Sequence, residues 1–300
     1  MRATGFFLSA VCCAVCYGQM VSVVPRTRPA HPEELPRSTF RLDVKLIEIP
    51  VSVNDLRDRP VLGLPETRFR LFEDDAEQQI VSFSRSDAPI SAGLVFDTSR
   101  SMRNRIQESR AAVEQFFTTA VEGDEFSLVT FSDSPELISP FTTDTGAISR
   151  RLSLVQSHGW TAMIDAIARS LGEMRKAANS RKVLLILSDG GDNNSRYSEA
   201  ELLSLVRESD VRIYAIGLLE RPHYLEKLAD ETGGSVVWVH KLSELPEAIQ
   251  RLSAEIRNEY RIGYFSQRND GRYHRVRVEV EPPTESGRVR VAWRRGYTAP

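Results

Sequence analysis

The sequence predicts an α/β protein: a doubly wound, mostly parallel sheet with helices on both faces, flanked by N- and C-terminal β segments that form a second β domain. Three observations predict it. Short apolar runs alternate with helix-spaced apolar positions between residues 91 and 258. Strict period-two alternation precedes and follows that stretch. Segments rich in Ser, Thr and Asp fall where the central strands end, the usual place for ligand sites in such sheets. A chain of 300 residues is long enough to bury a proper core as one large domain or two smaller ones.

Met1-Arg2 followed by the apolar run Phe6 to Val15 has the charged start and short hydrophobic stretch of a secretory signal, too short to span a bilayer as a mature helix. We therefore expect residues 1–18 to be a signal peptide and the mature chain to be exported, periplasmic or secreted, without a transmembrane segment. The chain's 3 cysteines, Cys12, Cys13 and Cys16, all lie in that stretch, so disulfides are not expected to hold the mature fold. None follows a clean Leu-x-Gly/Ala pattern, which disfavours a lipid anchor. Residues 19–38 carry Pro25, Pro29, Pro32 and Pro36 among Arg, His and Glu, a composition that favours an extended linker.

The N-terminal β segment is expected over 39–88. Phe40, Leu42, Val44 and Leu46 alternate with polar residues, and after Glu48 the apolar phase moves to Ile49, Val51 and Val53, predicting a strand with a bulge or edge near Pro50. A turn at Asp58-Arg59-Pro60 and short strands at 68–73 and 79–84 complete it. The central domain is expected over 89–258. Its strands, 92–96, 126–131, 183–187, 211–216 and 235–239, lack polar alternation, as expected when helices cover both faces. Helical spacing appears at Val113, Phe116, Phe117 and Ala120, at Ile164, Ile167, Ala168 and Leu171, and at Leu245, Ile249, Leu252 and Ile256. Residues 136–141 predict an added antiparallel edge strand. In the C-terminal β segment, 259–300, Val276, Val278 and Val280 and then Val289, Val291 and Trp293 alternate with charged residues, with turns at Asn269-Asp270-Gly271 and Ser286-Gly287. The two β segments are expected to pair into one discontinuous domain; two separate appendages are the alternative.

Three stretches carry the chemistry: Asp97-Thr98-Ser99-Arg100-Ser101, Trp160-Thr161-Ala162 and Ser188-Asp189-Gly190. Each falls at the carboxyl edge of the predicted sheet, so residues some ninety positions apart converge there by the same strand-end rule. Mg²⁺ favours six oxygens and sheds water reluctantly. Ser99, Ser101 and Thr161 offer neutral hydroxyls, while Asp97 and Asp189 supply charge directly or through water. Anions held mainly behind the hydroxyls leave the ion electron-poor and able to attract a carboxylate from outside. A lone Asp-x-Ser-x-Ser is a weak signal, and the bland reading makes these side chains helix caps and turn formers. The Thr and Asp loops in the right order, each at a strand end, make it specific.

These motifs resemble the von Willebrand factor type A domain with its metal-ion-dependent adhesion site, over residues 90 to 258. The resemblance implies a Rossmann-like fold and a metal held by Asp97, Ser99 and Ser101 in the first loop, Thr161 in the second and Asp189 in the third. Mg²⁺ is the implied ion, with Mn²⁺ or Ca²⁺ as alternatives. Arg100 stands where many bacterial members carry Gly, placing a charge beside the metal. The whole chain is similar to secreted VWFA-related proteins of Acidobacteria type, through Val-Phe-Asp-Thr-Ser before the metal loop and the closing Arg-Gly-Tyr-Thr-Ala-Pro.

The implied function is a secreted, metal-dependent protein-binding module, its site completed by an acidic side chain of a protein partner. A scaffold whose β domain makes the contact, with the ion only stiffening loops, is the alternative. Metal-assisted hydrolysis is a weaker one, since no Gly-x-Ser-x-Gly elbow, phosphate loop or zinc motif accompanies the carboxylates; we expect no enzyme. With Lys+Arg at 39 against Asp+Glu at 41, no overall field recruits a polyanion, and nucleic acid is not an expected partner. Asp192, Asn193 and Asn194 are expected to shape the rim of the site rather than bind a second ion, and His158 to lie nearby without a role. Arg272, Arg275, Arg277, Arg288, Arg290, Arg294 and Arg295 make the last strands basic, which we read as a guarded, solvated sheet face; an acidic glycan or lipid site is the alternative.

Overall fold

The computed structural model describes residues 45–218, 221–282 and 287–299. The expected signal peptide, the Pro-rich linker and the alternation at residues 40–44 lie outside them. The described residues belong to one compact unit. The chain opens with strands β1 (Lys45–Asp55), β2 (Phe69–Glu73), β3 (Ala76–Gln78) and β4 (Ser82–Ser86). The central part then runs β5 (Ile90–Asp97), α1 (Ile106–Phe117), β6 (Glu125–Phe131), β7 (Pro135–Thr142), α2 (Thr145–Leu154) and α3 (Met163–Glu173). It continues through β8 (Arg181–Ser188), α4 (Glu199–Glu208), β9 (Val211–Leu218), α5 (His223–Thr232), β10 (Val236–Val239) and α6 (Leu245–Arg257). Strands β11 (Glu259–Ser266), β12 (Tyr273–Val280), β13 (Val289–Trp293) and β14 (Gly296–Thr298) close the chain.

The central strands form a six-stranded sheet in the order β10-β9-β8-β5-β6-β7. All neighbours are parallel except β6 and the edge strand β7, which are antiparallel. Successive side chains of β8 feed opposite cores: Val183, Leu185 and Leu187 pack with α1, α2 and α6, and Leu184 and Ile186 with α3, α4 and α5. Helices on both faces explain why these strands read as unbroken apolar runs. α3 buries Met163, Ile164, Ala166, Ile167 and Leu171, the three-and-four spacing of one helical stripe. α1 ends at Phe117, one turn short of Ala120. Two helices have termini written in the sequence: Asp144 accepts the Ala147 amide at the start of α2, and Ser198 forms a capping box with Glu201 on α4.

The flanking strands make two four-stranded antiparallel sheets, β13-β1-β11-β4 and β14-β12-β2-β3. The N- and C-terminal segments therefore pair with each other. Ile47, Ile49, Val51 and Val53 of β1 face Phe69, Leu71, Val276 and Val278 in a shared apolar layer, with Phe69, Phe83 and Tyr260 in mutual ring contact. Tyr297 of the closing motif donates to Glu73, which also accepts from Tyr264 and Ser266.

One local expectation is narrowed and another changes. β1 pairs with β11 without a register break from Lys45 to Val51, so there is no bulge at Pro50. The β13 ladder begins only at Val51, so Pro50 sits where one side of the strand lacks a partner, the edge alternative of the expectation. Of the strand expected over 79–84 only Ser82 to Ser84 are strand, as the start of β4; residues 79–81 carry the chain from the sheet it leaves at Gln78 to the one it enters at Ser82.

A buried ionic junction fastens these sheets to the central one. Glu259, at the start of β11, accepts from Arg181 Nε at 2.9 Å and from Arg212 Nη1 at 2.8 Å, all three side chains being almost fully buried. Arg181 and Arg212 begin or nearly begin β8 and β9, at the amino edge of the parallel sheet. Arg212 also donates to Ser52 of β1. The C-terminal arginines are largely spent in pairs: Arg290 with Asp58, Arg294 with Asp210, Arg295 with Asp230 and Arg277 with Glu279. That pairing fits a guarded sheet better than a polyanion site. Among the described residues no helix is long and apolar enough to cross a membrane.

Candidate metal centre

β5 and β8 are neighbours, yet the helices that follow them pack on opposite faces, so the carboxyl ends of these strands border the crevice where the winding reverses. Asp97 is the last residue of β5, and Asp189 follows the last residue of β8. Backbone bonds stitch three loops together above them. Thr98 donates from both its amide and its Oγ1 to the Phe131 carbonyl, each at 2.8 Å. The His158 amide donates to the Thr98 carbonyl and the Arg100 amide to the Gly159 carbonyl. Gly159 has φ +68°, and a Cβ there would meet the Asp133 carboxylate at 2.5 Å, so this turn accepts only glycine. The Thr161 amide donates to Asn193 Oδ1, and the Thr161 carbonyl accepts from the amides of Asn193 and Asn194.

The side chains form a continuous relay. Asp97, wholly buried, accepts from the Ser99 amide at 2.8 Å on Oδ1 and from Ser188 Oγ on Oδ2. Ser99 Oγ lies 3.0 Å from Ser101 Oγ, which donates to Asp189 Oδ1 at 2.7 Å. Asp189 Oδ2 accepts from Arg105 Nη1, which also donates to the Ser101 carbonyl at 2.7 Å. Asp97, Ser99, Ser101 and Asp189 are thus brought together directly, and Thr161 joins through its backbone bonds to the third loop. Burial pushes the Asp97 carboxyl up to about 6 and the nearby Asp189 charge adds to this, against the opposing hydrogen bonds from Ser188 and Ser99.

Two buried carboxylates with the hydroxyls of Ser99 and Ser101 gather oxygen donors of the kind suited to a hard cation, and Thr161 stands in the adjoining loop. Among the described residues no group of three or more His, Cys, Asp or Glu is placed to hold a metal. The hydroxyls carry the fit.

The neighbouring residues take structural roles. Asp192 Oδ1 accepts the Ile164 amide at 3.0 Å in the first turn of α3, and Ser195 Oγ accepts the Asp165 amide at 3.0 Å. His158 turns its ring to Ser132 and the Gln156 carbonyl. The charge placed at Arg100 by sequence reasoning arrives from elsewhere: Arg100 is exposed, and Arg105 is the cation that reaches Asp189. Arg105 follows Ser101 by four positions, which is the one signal that pointed to it. Ser188, the second donor to Asp97, stood in the quoted Ser-Asp-Gly stretch without a role.

A doubly wound sheet with hydroxyl and carboxylate loops gathered at its switch point defines the class to which the comparisons also lead. Residues 94–191 match the model of the von Willebrand factor type A domain. An uncharacterized protein of Borreliella burgdorferi is 24% identical over 135 residues, covering 42% of this chain and 39% of that relative. The chain thus aligns with well under half the length of that curated relative. A von Willebrand factor type A protein from Catenulispora acidiphila superposes with a TM-score of 0.52 at 16% identity, over 84% of this chain and 73% of that one. Proximal thread matrix protein 1 of the mussel byssus gives 0.50 at 19% identity, over 59% and 49%. At these identities the likeness is one of fold.

Proposed function

We propose that this chain is an exported, metal-dependent protein-binding module. Domains of this family in general mediate protein interactions rather than catalysis. Asp97, Ser99, Ser101, Thr161 and Asp189 would hold the ion, Mg²⁺ by preference, and a partner carboxylate would complete its coordination. The bound ion supplies a site of positive charge that accepts an oxygen ligand. The chain's own residues orient it: Ser188 and the Ser99 amide fix Asp97, and the Asn193 and Asn194 bonds fix the loop that bears Thr161. The observation that supports this reading is the stitching of three sequence-distant loops into one oxygen-rich cluster at the switch point.

The test is capture of exported proteins by the wild-type chain and by Thr161→Ala, each with Mg²⁺ or with EDTA. Retention of a protein by wild type with Mg²⁺ alone is the expected result. Equal retention in all four conditions would move the contact to the β sheets and reduce the metal loops to scaffolding.

A further inference from the structure

Asp189 is buried, its side chain only 1% exposed, and a buried carboxylate is costly without a counter-charge. Arg105 supplies that charge. It stands between the short helical turn Arg100–Asn104 and α1, where its guanidinium meets Asp189 Oδ2 and the Ser101 carbonyl from one nitrogen. Its side chain is 26% exposed, so it has a route to water that Asp189 lacks. Arg100 and Arg103 lie in the same turn but are exposed, and among the described residues their side chains make no ion pair. Arg105 is therefore the arginine of this loop that is spent on the cluster.

We propose that Arg105 is a tethered counter-cation of the candidate metal centre, competing with the divalent ion for Asp189 and so setting how readily the site loads. This rests on the metal-binding reading above. The guanidinium satisfies in advance the same carboxylate that a divalent ion uses, and two cations within a few ångström repel strongly in a site screened from water. An arriving ion must displace or tolerate Arg105. In return, the three loops keep a neutralised carboxylate when no ion is bound, so the folded chain does not depend on the metal.

The test titrates Mn²⁺ as the probe, by electron paramagnetic resonance of the free ion, into wild type, Arg105→Gln, Arg105→Lys and Thr161→Ala. Arg105→Gln should bind Mn²⁺ at least about tenfold more tightly than wild type, the order expected for one nearby positive charge removed. Arg105→Lys, which keeps the charge, should stay within a few-fold of wild type. In EDTA the melting temperature of Arg105→Gln should fall and be restored by Mn²⁺, while that of wild type should barely respond. Equal or weaker binding by Arg105→Gln overturns the proposal, as does equal tightening by Arg105→Lys, which would make the effect one of packing. If wild type binds Mn²⁺, Thr161→Ala does not, and Arg105→Gln matches wild type, only the competition fails. If no variant binds Mn²⁺, the metal reading falls and the competition with it.

Discussion

The two ends of the central sheet bury carboxylates in opposite ways. At the amino edge, Glu259 is gripped by two arginines, each nearly as buried as itself, and Asp124 accepts the amides of Ile90 and Val121 together with both terminal nitrogens of Arg257. Both of these acids face the full charges of arginines. At the carboxyl edge, Asp97 is held by a hydroxyl and an amide, and Asp189 by a hydroxyl and one partly exposed arginine. One end is closed and joins sheets; the other leaves its oxygens exchangeable. On the proposed reading, the same residue types serve cohesion at one end and recognition at the other, according to whether their partners can be replaced by something from outside.

The sharpest way to break this contrast is at Glu259. Glu259→Gln should leave Arg181 and Arg212 buried without their counter-charge, and removing one partner of a buried pair costs about 3–5 kcal/mol. Urea unfolding should show that loss with Mg²⁺ or EDTA alike. A variant that unfolds like wild type would mean the junction is a surface feature in solution, and the distinction between the two ends would collapse.

Asp124 offers a second, smaller test with a defined pH dependence. Burial alone would raise its carboxyl, but the hydrogen bonds and charge of Arg257 and the two amides outweigh this and hold it below the usual carboxylate range. A depressed folded value contributes stability that is complete above the ordinary carboxylate pKa and disappears as pH falls through the folded one. Asp124→Ala should cost about 1.5–3 kcal/mol at pH 7, as for buried hydrogen bonds to a charged group. The deficit against wild type should shrink as unfolding is measured at successively lower pH. A deficit independent of pH would assign the loss to packing instead.

How far each end was legible follows from the same contrast. The carboxyl edge could be read because strand ends gather ligands and because Asp-x-Ser-x-Ser keeps its members within one loop. β5 and β8 were plain because coverage on both faces leaves an uninterrupted apolar run. The amino-edge junction was invisible: Arg181 and Arg212 stand 78 and 47 positions from Glu259, and no local spacing announces that pairing. Arg105 escaped because its spacing of four from Ser101 is a weak signal, and the carboxylate it meets lies 84 positions away. The segment 79–84 misled for another reason. Ile80 is partly buried but Val81 is half exposed, so their adjacency marks a crossing between sheets rather than one strand.

The smallest effect is expected at Asp192, an acid of the carboxyl edge that is nonetheless committed to structure. It stands three residues beyond Asp189 and accepts the Ile164 amide, so it caps α3 from a neighbouring loop, three positions after Thr161. Ala162, at the helix's own cap position, contributes no side-chain bond. Asp192→Ala should therefore cost about 1 kcal/mol, the usual value of a lost cap, and Asp192→Asn less, since an amide oxygen still accepts. If Asp192 is only a cap, Mn²⁺ affinity should weaken in proportion to the loosened α3 entrance, and Asp192→Asn should recover most of it. Loss of Mn²⁺ binding in both variants, with stability untouched, would make Asp192 a ligand and enlarge the exchangeable end of the sheet by one carboxylate.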